Sequence, residues 1–177
     1  MKKSVKKEIF GYLRIIVAGV VIAVLLNKFV IINADITSES MSTTFEKGDK
    51  LIGFRLSYIF SKPERGDVII FEYPDDGDKL LIKRVIGLPG ETIQIKGDTI
   101  YINGKAIKEN YGKDPMTESG IAEKPLKLAN DEFFVLGDNR EISDDSRYED
   151  VGPVKRKNIA GRAILRISPL SEFGTFK

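Results

Sequence analysis

The chain has 177 residues, room for one globular domain of ordinary size beyond an apolar N-terminal run. Its 28 basic and 26 acidic residues leave a net charge of +2, too small to make nucleic acid an expected partner. With no cysteine there are no disulfides and no thiolate chemistry; with no histidine there is no serine–histidine–aspartate triad, no imidazole zinc ligand and none of the commonest general base.

Lys2, Lys3, Lys6 and Lys7 precede an apolar stretch that is uninterrupted over residues 15–26. Those twelve residues reach only about 18 Å as a helix, short of a bilayer core of about 30 Å. Extension to Ile32 gives about 27 Å, provided Lys28 lays its stem along the apolar surface and its ammonium at the interface. The expected organisation is a basic cytoplasmic N-terminus over 1–9, a transmembrane helix over 10–32 with Tyr12 near one interface, and an extracytoplasmic domain over 33–177. This makes the chain a single-pass protein of the cell membrane. A cleaved secretory signal starts similarly, but Ile31, Ile32 and Asn33 ahead of Ala34 do not form a small-x-small cleavage site.

Directly after the anchor, "ITSESMSTTF" at 36–45 crowds hydroxyls around Met41: Thr37, Ser38, Ser40, Ser42, Thr43 and Thr44. Such a stretch reads equally as a solvated loop or as the seat of a nucleophile. Beyond it the pattern becomes short alternating segments punctuated by turns, the mark of a mostly β, antiparallel domain forming a sandwich or partial barrel. The strand candidates are "KLIGFRL", "GDVIIFEY", "KLLIKRVIGL", "ETIQIKGDTIYINGKAI", "EFFVLGD" and "RAILRIS". In the fourth, Ile93, Ile95, Ile100 and Ile102 alternate with polar neighbours, while Gly97-Asp98 and Asn103-Gly104 supply turns, predicting a hairpin and a third short strand. Residues 109–125, polar and rich in Gly and Pro, read as a surface loop.

Within "KLLIKRVIGLPG" a period of two puts Leu81, Lys83 and Val85 on one face and Leu80, Ile82, Arg84 and Ile86 on the other. If the first face is buried, Lys83 loses hydration and its pKa falls toward that of a usable base; if it lies at a strand edge, Lys83 snorkels to water. The segment alone leaves both open.

A third segment, "GDNREISDDSR" at 137–147, makes the combination specific. The sequence resembles the type I signal peptidases, membrane-anchored proteases with a serine–lysine dyad, in their short, single-anchor form typical of Gram-positive bacteria. The likeness runs in order along almost the whole chain. "SESMSTT" meets a family pattern of the kind S-x-S-M-x-P-T, "RGDVIIF" the glycine–aspartate strand, "KRVIGLPGE" the lysine box and "GDNREISDDSR" the last box.

The resemblance implies Ser40 as nucleophile and Lys83 as general base. Ser38 then helps the Ser40 backbone N–H hold the oxyanion, and Ser143 hydrogen-bonds and orients the lysine. Arg84, Asp145 and Arg147 form a supporting charged cluster. The implied activity is cleavage of signal peptides from exported preproteins through an acyl-enzyme, with no metal or cofactor. Signal peptides, membrane lipid and the protein export machinery are the implied partners, and Met41 with the aliphatic residues near Lys83 the implied lining of shallow substrate pockets. One departure is Thr43 where the family usually has proline, which removes about 0.4–1 kcal/mol of restriction on the unfolded chain and is expected to loosen the loop. Two other classes fit parts of the sequence. Self-cleaving repressors share the dyad but need a DNA-binding module, and a non-catalytic tethered β-domain would need no dyad.

Overall fold

A computed structural model describes residues 2–74, 76–112 and 115–176. Helix α1, Lys2–Phe29, opens the chain, and Lys7–Phe29 within it is long and apolar enough to cross a membrane. Its 23 residues reach about 34 Å, and the large side chains from Ile9 to Leu26 are exposed, so the helix is covered by nothing in the domain.

The helix ends three residues before the expected Ile32. Ile31–Asp35 instead forms β1, paired antiparallel with β2, Lys50–Phe54, from Ile31↔Phe54 to Asp35↔Lys50. The cause is tertiary: Ile32 is taken into the domain core beside Leu51, Val68 and Ile70, and β-branched side chains suit that pleated surface. Lys28 therefore falls in the last helical turn, where a cation faces the exposed carbonyls, and sits 5.6 Å from the Phe29 ring centroid.

The remaining strands are β3, Val68–Tyr73; β4, Asp76–Gly87; β5, Thr92–Lys96; β6, Thr99–Ile102; β7, Lys105–Ala106; β8, Leu126–Lys127; β9, Glu132–Leu136; β10, Val154–Lys155; and β11, Ile159–Ser168. Each of the six predicted segments holds strand, and the fourth is the predicted hairpin plus a third short strand. A seven-stranded antiparallel sheet runs β1-β2-β11-β3-β4-β9-β10, and a four-stranded sheet runs β7-β6-β5-β8. In the small sheet Ile93, Ile95, Ile100 and Ile102 point inward against Ile86, Phe134 and Leu136 of the large one. The two-residue turn between β6 and β7 uses Asn103 at φ 51° and Gly104 at φ 78°, the left-handed pair such a turn requires.

Two features of the large sheet position the site. β4 pairs with β3 from Leu80 to Arg84, but with β9 only from Arg84 onward, so its second edge ahead of Arg84 carries no strand among the described residues. β1 is itself an edge strand. The sheet coils so that Asp35 and Ile36, at the end of β1, line the same cleft as residues 79–83 of β4, although β2, β11 and β3 intervene in strand order.

Candidate active site

Ser40 lies in the turn that follows β1, seated by both flanks. Met41 and Phe45 plug it into the core, 2% and 0% exposed, and the Met41 carbonyl accepts from the Thr44 and Phe45 amides at 3.0 and 2.8 Å. The Ser40 carbonyl accepts from the Asn139 amide at 3.0 Å, joining the turn to the segment after β9.

Lys83 points from β4 into this turn, 3% exposed, and its Nζ donates to Ser40 Oγ at 2.6 Å. Of the two settings left open for Lys83, the buried one is observed. Burial lowers its pKa from 10.5 to about 8, aided by Lys79 and outweighing Asp145, Asp144 and Asp138, which pull the other way. At pH 7 about one molecule in ten then carries a neutral amine, against about one in 3,000 for an unperturbed lysine. Ser38 Oγ sits 3.2 Å from Ser40 Oγ on the exposed side of the turn. The dyad opens into a cleft of about 290 Å³ whose apolar walls are Ile36, Met41, Leu81, Ile82 and Ile142, with Asp35, Glu39, Lys79 and Asp144 at its polar rim.

Three site expectations need correction. First, Ser143 is buried at 1% exposure, yet its hydroxyl has no hydrogen-bond partner, so the expected bond to Lys83 is not made. The lysine is committed to Ser40 instead, and Ser143 packs on Gly137. A Cβ at Gly137 would stand 2.1 Å from Ser143 Oγ and 2.4 Å from the Ser40 carbonyl oxygen, so only glycine lets the two segments meet there.

Second, Arg84, Asp145 and Arg147 do not form one cluster. Arg84, on the face of β4 opposite Lys83, makes a bidentate pair with Asp138: Nε to Oδ1 at 2.9 Å and Nη2 to Oδ2 at 2.6 Å. It also donates to the Gly66 carbonyl and to Thr44 Oγ1, and its guanidinium lies 3.9 Å from the Tyr111 ring centroid. Thr44 Oγ1 donates to Asp138 Oδ2 at 2.5 Å, so this pair grips the turn carrying Ser40. Asp145 and Arg147 form a separate pair, Nε to Oδ1 at 2.8 Å and Nη2 to Oδ2 at 3.0 Å. It fixes the segment carrying Ser143: Asp145 accepts from the Gly137 amide, and Arg147 donates to the Arg140 and Ser143 carbonyls.

Third, Thr43 does not loosen the turn. Its φ is 96°, a left-handed conformation closed to proline, and its Oγ1 donates to the Tyr111 carbonyl at 3.0 Å. The turn is held by bonds across the chain where a proline would hold it locally. Asp138, Thr44 and Gly137 stood inside the quoted motifs "GDNREISDDSR" and "SESMSTT" but carried no assigned role, and Tyr111 lay in the segment read as a surface loop.

A serine hydroxyl against a shielded amine, in a chain with no imidazole, supplies the reacting groups of a serine–lysine hydrolase, here on an antiparallel β scaffold behind one apolar helix. The family described as signal peptidase, peptidase S26, matches residues 9–168, and the chain belongs to that family. It is 42% identical to a signal peptidase I of Leptolyngbya laminosa over 88% of this chain and 78% of that one. It is 38% identical to signal peptidase I V of Bacillus subtilis, over 82% and 90% of the two chains. With signal peptidase IB of Staphylococcus aureus the identity is 33%, over 95% and 94%. A crystal structure of a signal peptidase I from Enterococcus faecalis is 38% identical, covering 58% of this chain and 97% of its own with a TM-score of 0.46.

Proposed function

We propose that this chain is a membrane-anchored serine endopeptidase that removes signal peptides from exported preproteins, with Ser40 as nucleophile and Lys83 as general base. The observation that carries the reading is the 2.6 Å contact between Lys83 Nζ and Ser40 Oγ inside a pocket that strips the amine of water. A neutral Lys83 takes the Ser40 hydroxyl proton as Oγ attacks the scissile carbonyl carbon. The ammonium so formed returns that proton to the leaving amine, and the signal peptide stays esterified to Ser40. Water, deprotonated by the same lysine, then hydrolyses the ester and frees the signal peptide. The Ser40 amide and the Ser38 hydroxyl flank the carbon under attack and are assigned to the oxyanion, each worth about 3 kcal/mol of barrier.

Ser143 is assigned to orient the neutral amine. Its orphaned, buried hydroxyl has its full bonding capacity in reserve for the stage at which Lys83 turns from Ser40. Arg84, Asp145 and Arg147 act at one remove, by fixing the two segments that bear the serines.

The substrate enters as an extended segment between two open strand edges, β1 and the part of β4 ahead of Arg84, with small side chains toward Ile36, Met41 and Ile82. Residues 1–9 are assigned to the cytoplasm, the apolar helix to the membrane and the β-domain to the outer face, where signal peptides, lipid and the export machinery converge. Because the helix stops at Phe29, ten residues separate it from Ser40, which bounds the nucleophile within about 40 Å of the helix end.

Processing of a preprotein by the parent, Ser40→Ala and Lys83→Ala chains tests the assignment. Activity in the parent and none above background in either variant is expected. Unimpaired processing by either variant would overturn the role given to that residue.

A further inference from the structure

Ile142, Ser143 and Asp144 alternate along one wall of the cleft. Ser143 is turned inward at 1% exposure, while its neighbours are exposed, Ile142 at 55%, and both line the cleft. The backbone that presents them is fixed: Arg147 donates to the Ser143 carbonyl at 3.1 Å, and Asp145 is locked in its pair with Arg147. The Asp144 carboxylate carries no hydrogen bond and no salt bridge with the described residues. Partial burial and the charge of Asp150 raise its pKa against the pull of Lys83 and Lys79, so the position is short of positive charge. Lys79, the one cation at the rim, has its ammonium 4.7 Å from the Tyr73 ring centroid. An exposed isoleucine and an unpaired carboxylate are thus held side by side on a rigid segment next to the dyad.

Their position says which part of a substrate they face. In the peptidase reading above, on which this step rests, Lys83 returns its proton to the leaving amine, so the mature chain begins on the lysine's side of the cut bond. The signal-peptide side is taken up by the edges of β1 and β4 and by Ile36, Met41 and Ile82. Among the residues lining the cleft, Ile142 and Asp144 alone come from neither of those strands nor the Ser40 turn, and Asp144 is near enough to Lys83 for their charges to interact. Because the reacting lysine is neutral, Asp144 faces no obligatory cation at the moment of attack.

We propose that Ile142 and Asp144 form a subsite for the first residues of the mature chain, one that selects lysine or arginine and rejects aspartate or glutamate. The aliphatic stem of such a cation lies along Ile142 and its charge meets the carboxylate, a division of labour that suits an amphipathic side chain. The subsite acts on which bond is cut and not on how it is cut. Since the mature chain leaves when Ser40 is acylated, the selection is exerted in the steps up to acylation and is absent from hydrolysis of the ester.

The test uses the full chain in detergent and fluorescence-quenched peptides that span a cleavage site and differ only in carrying alanine, lysine or glutamate at the first or the second residue after the cut. A kcat/KM about tenfold higher for lysine than for glutamate is expected at one of the two positions, since side chains of an extended segment alternate in direction. Asp144→Asn should bring that ratio to within about twofold of one and Asp144→Lys should invert it, whereas Glu39→Gln, at the opposite rim, should leave it standing. Any change in the basicity of Lys83 acts on all the peptides alike and cancels in the ratio. A ratio that survives Asp144→Asn would overturn the subsite, as would one equal at both positions or one abolished by Glu39→Gln, which mark the general field of the rim. Affinities of the same peptides for the Ser40→Ala chain, read by fluorescence anisotropy, should fall in the order lysine, alanine, glutamate. A parent that cleaves none of the peptides defeats the peptidase reading instead, while that order of affinities still decides the contact with Asp144.

Discussion

The small sheet of β5 to β8 and the junction around Ser40 lie in one domain but follow opposite rules. In the small sheet every local preference agrees with the fold: isoleucines alternate inward, and an asparagine–glycine pair makes the tight turn. At the junction almost every preference is overridden. Lys83, Arg84, Asp138, Ser143, Asp145 and Arg147 are all buried, Ser143 has an orphaned hydroxyl, and Thr43, a β-branched residue, sits at φ 96°. The first region stabilises the domain and the second is held in place by it, as strained and desolvated sites generally are.

The largest effect expected from breaking this contrast is at Lys83. Its folded pKa of about 8 lies below the unfolded 10.5, so the unfolded chain binds the extra proton. The resulting destabilisation is full below pH 8 and fades as pH rises from about 8 to 10.5, and it amounts to about 3 kcal/mol. Lys83→Met should therefore lower the cleavage rate by about 10³-fold while raising stability by about 2–3 kcal/mol at pH 7, a gain that vanishes near pH 10.5. In the parent, the acidic limb of the rate profile should fall near pH 8. Urea unfolding across pH, with peptide kinetics on the same samples, checks both halves; a destabilised, inactive Lys83→Met would erase the contrast.

Next in size is Asp138→Asn. It leaves the buried Arg84 guanidinium without its carboxylate and loosens Thr44 with it, so a loss of about 3–5 kcal/mol in stability is expected, with a lower rate in whatever remains folded. Ile95→Ala belongs to the other region. It should cost about 2–4 kcal/mol of stability, read from the urea midpoint, and leave the rate of the folded enzyme unaltered. A rate change there would mean that the small sheet does more than support.

The same contrast governed what could be read beforehand. Strands whose alternation matched their burial, β5 and β6 above all, were legible from pattern alone. β1 was not, because Ile31 and Ile32 continue an apolar run whose composition is the same whether it ends in helix or in strand. The two-residue strands β8 and β10 are too short to carry any periodicity. At the site, alternation along β4 correctly put Lys83 and Arg84 on opposite faces. It could not tell which face closes over a charge, since that depends on segments distant in sequence. Resemblance named the serine and the lysine, yet Asp138 and Gly137 matter through partners some fifty to a hundred residues away, Arg84, Thr44 and Ser40, and contacts of that kind leave no local trace.

The smallest effects belong to Thr43, where the two regimes meet on one residue. Its left-handed backbone costs about 1 kcal/mol, and the bond from its hydroxyl to the Tyr111 carbonyl, on the surface, returns about 0.5–1 kcal/mol. Asparagine tolerates that φ and keeps a side-chain donor, so Thr43→Asn should match the parent or exceed it by about 0.5 kcal/mol, with no change in rate. Thr43→Pro must abandon φ 96° and drag the turn with it, losing more than about 1 kcal/mol and slowing cleavage, because Ser40 lies three residues upstream. Melting temperature and peptide kinetics on the two variants separate the cases. If Thr43→Pro proved neutral, the left-handed turn would be a dispensable local choice; if only Thr43→Pro is impaired, the turn carrying Ser40 is held by hydrogen bonds across the chain and not by a local backbone restraint.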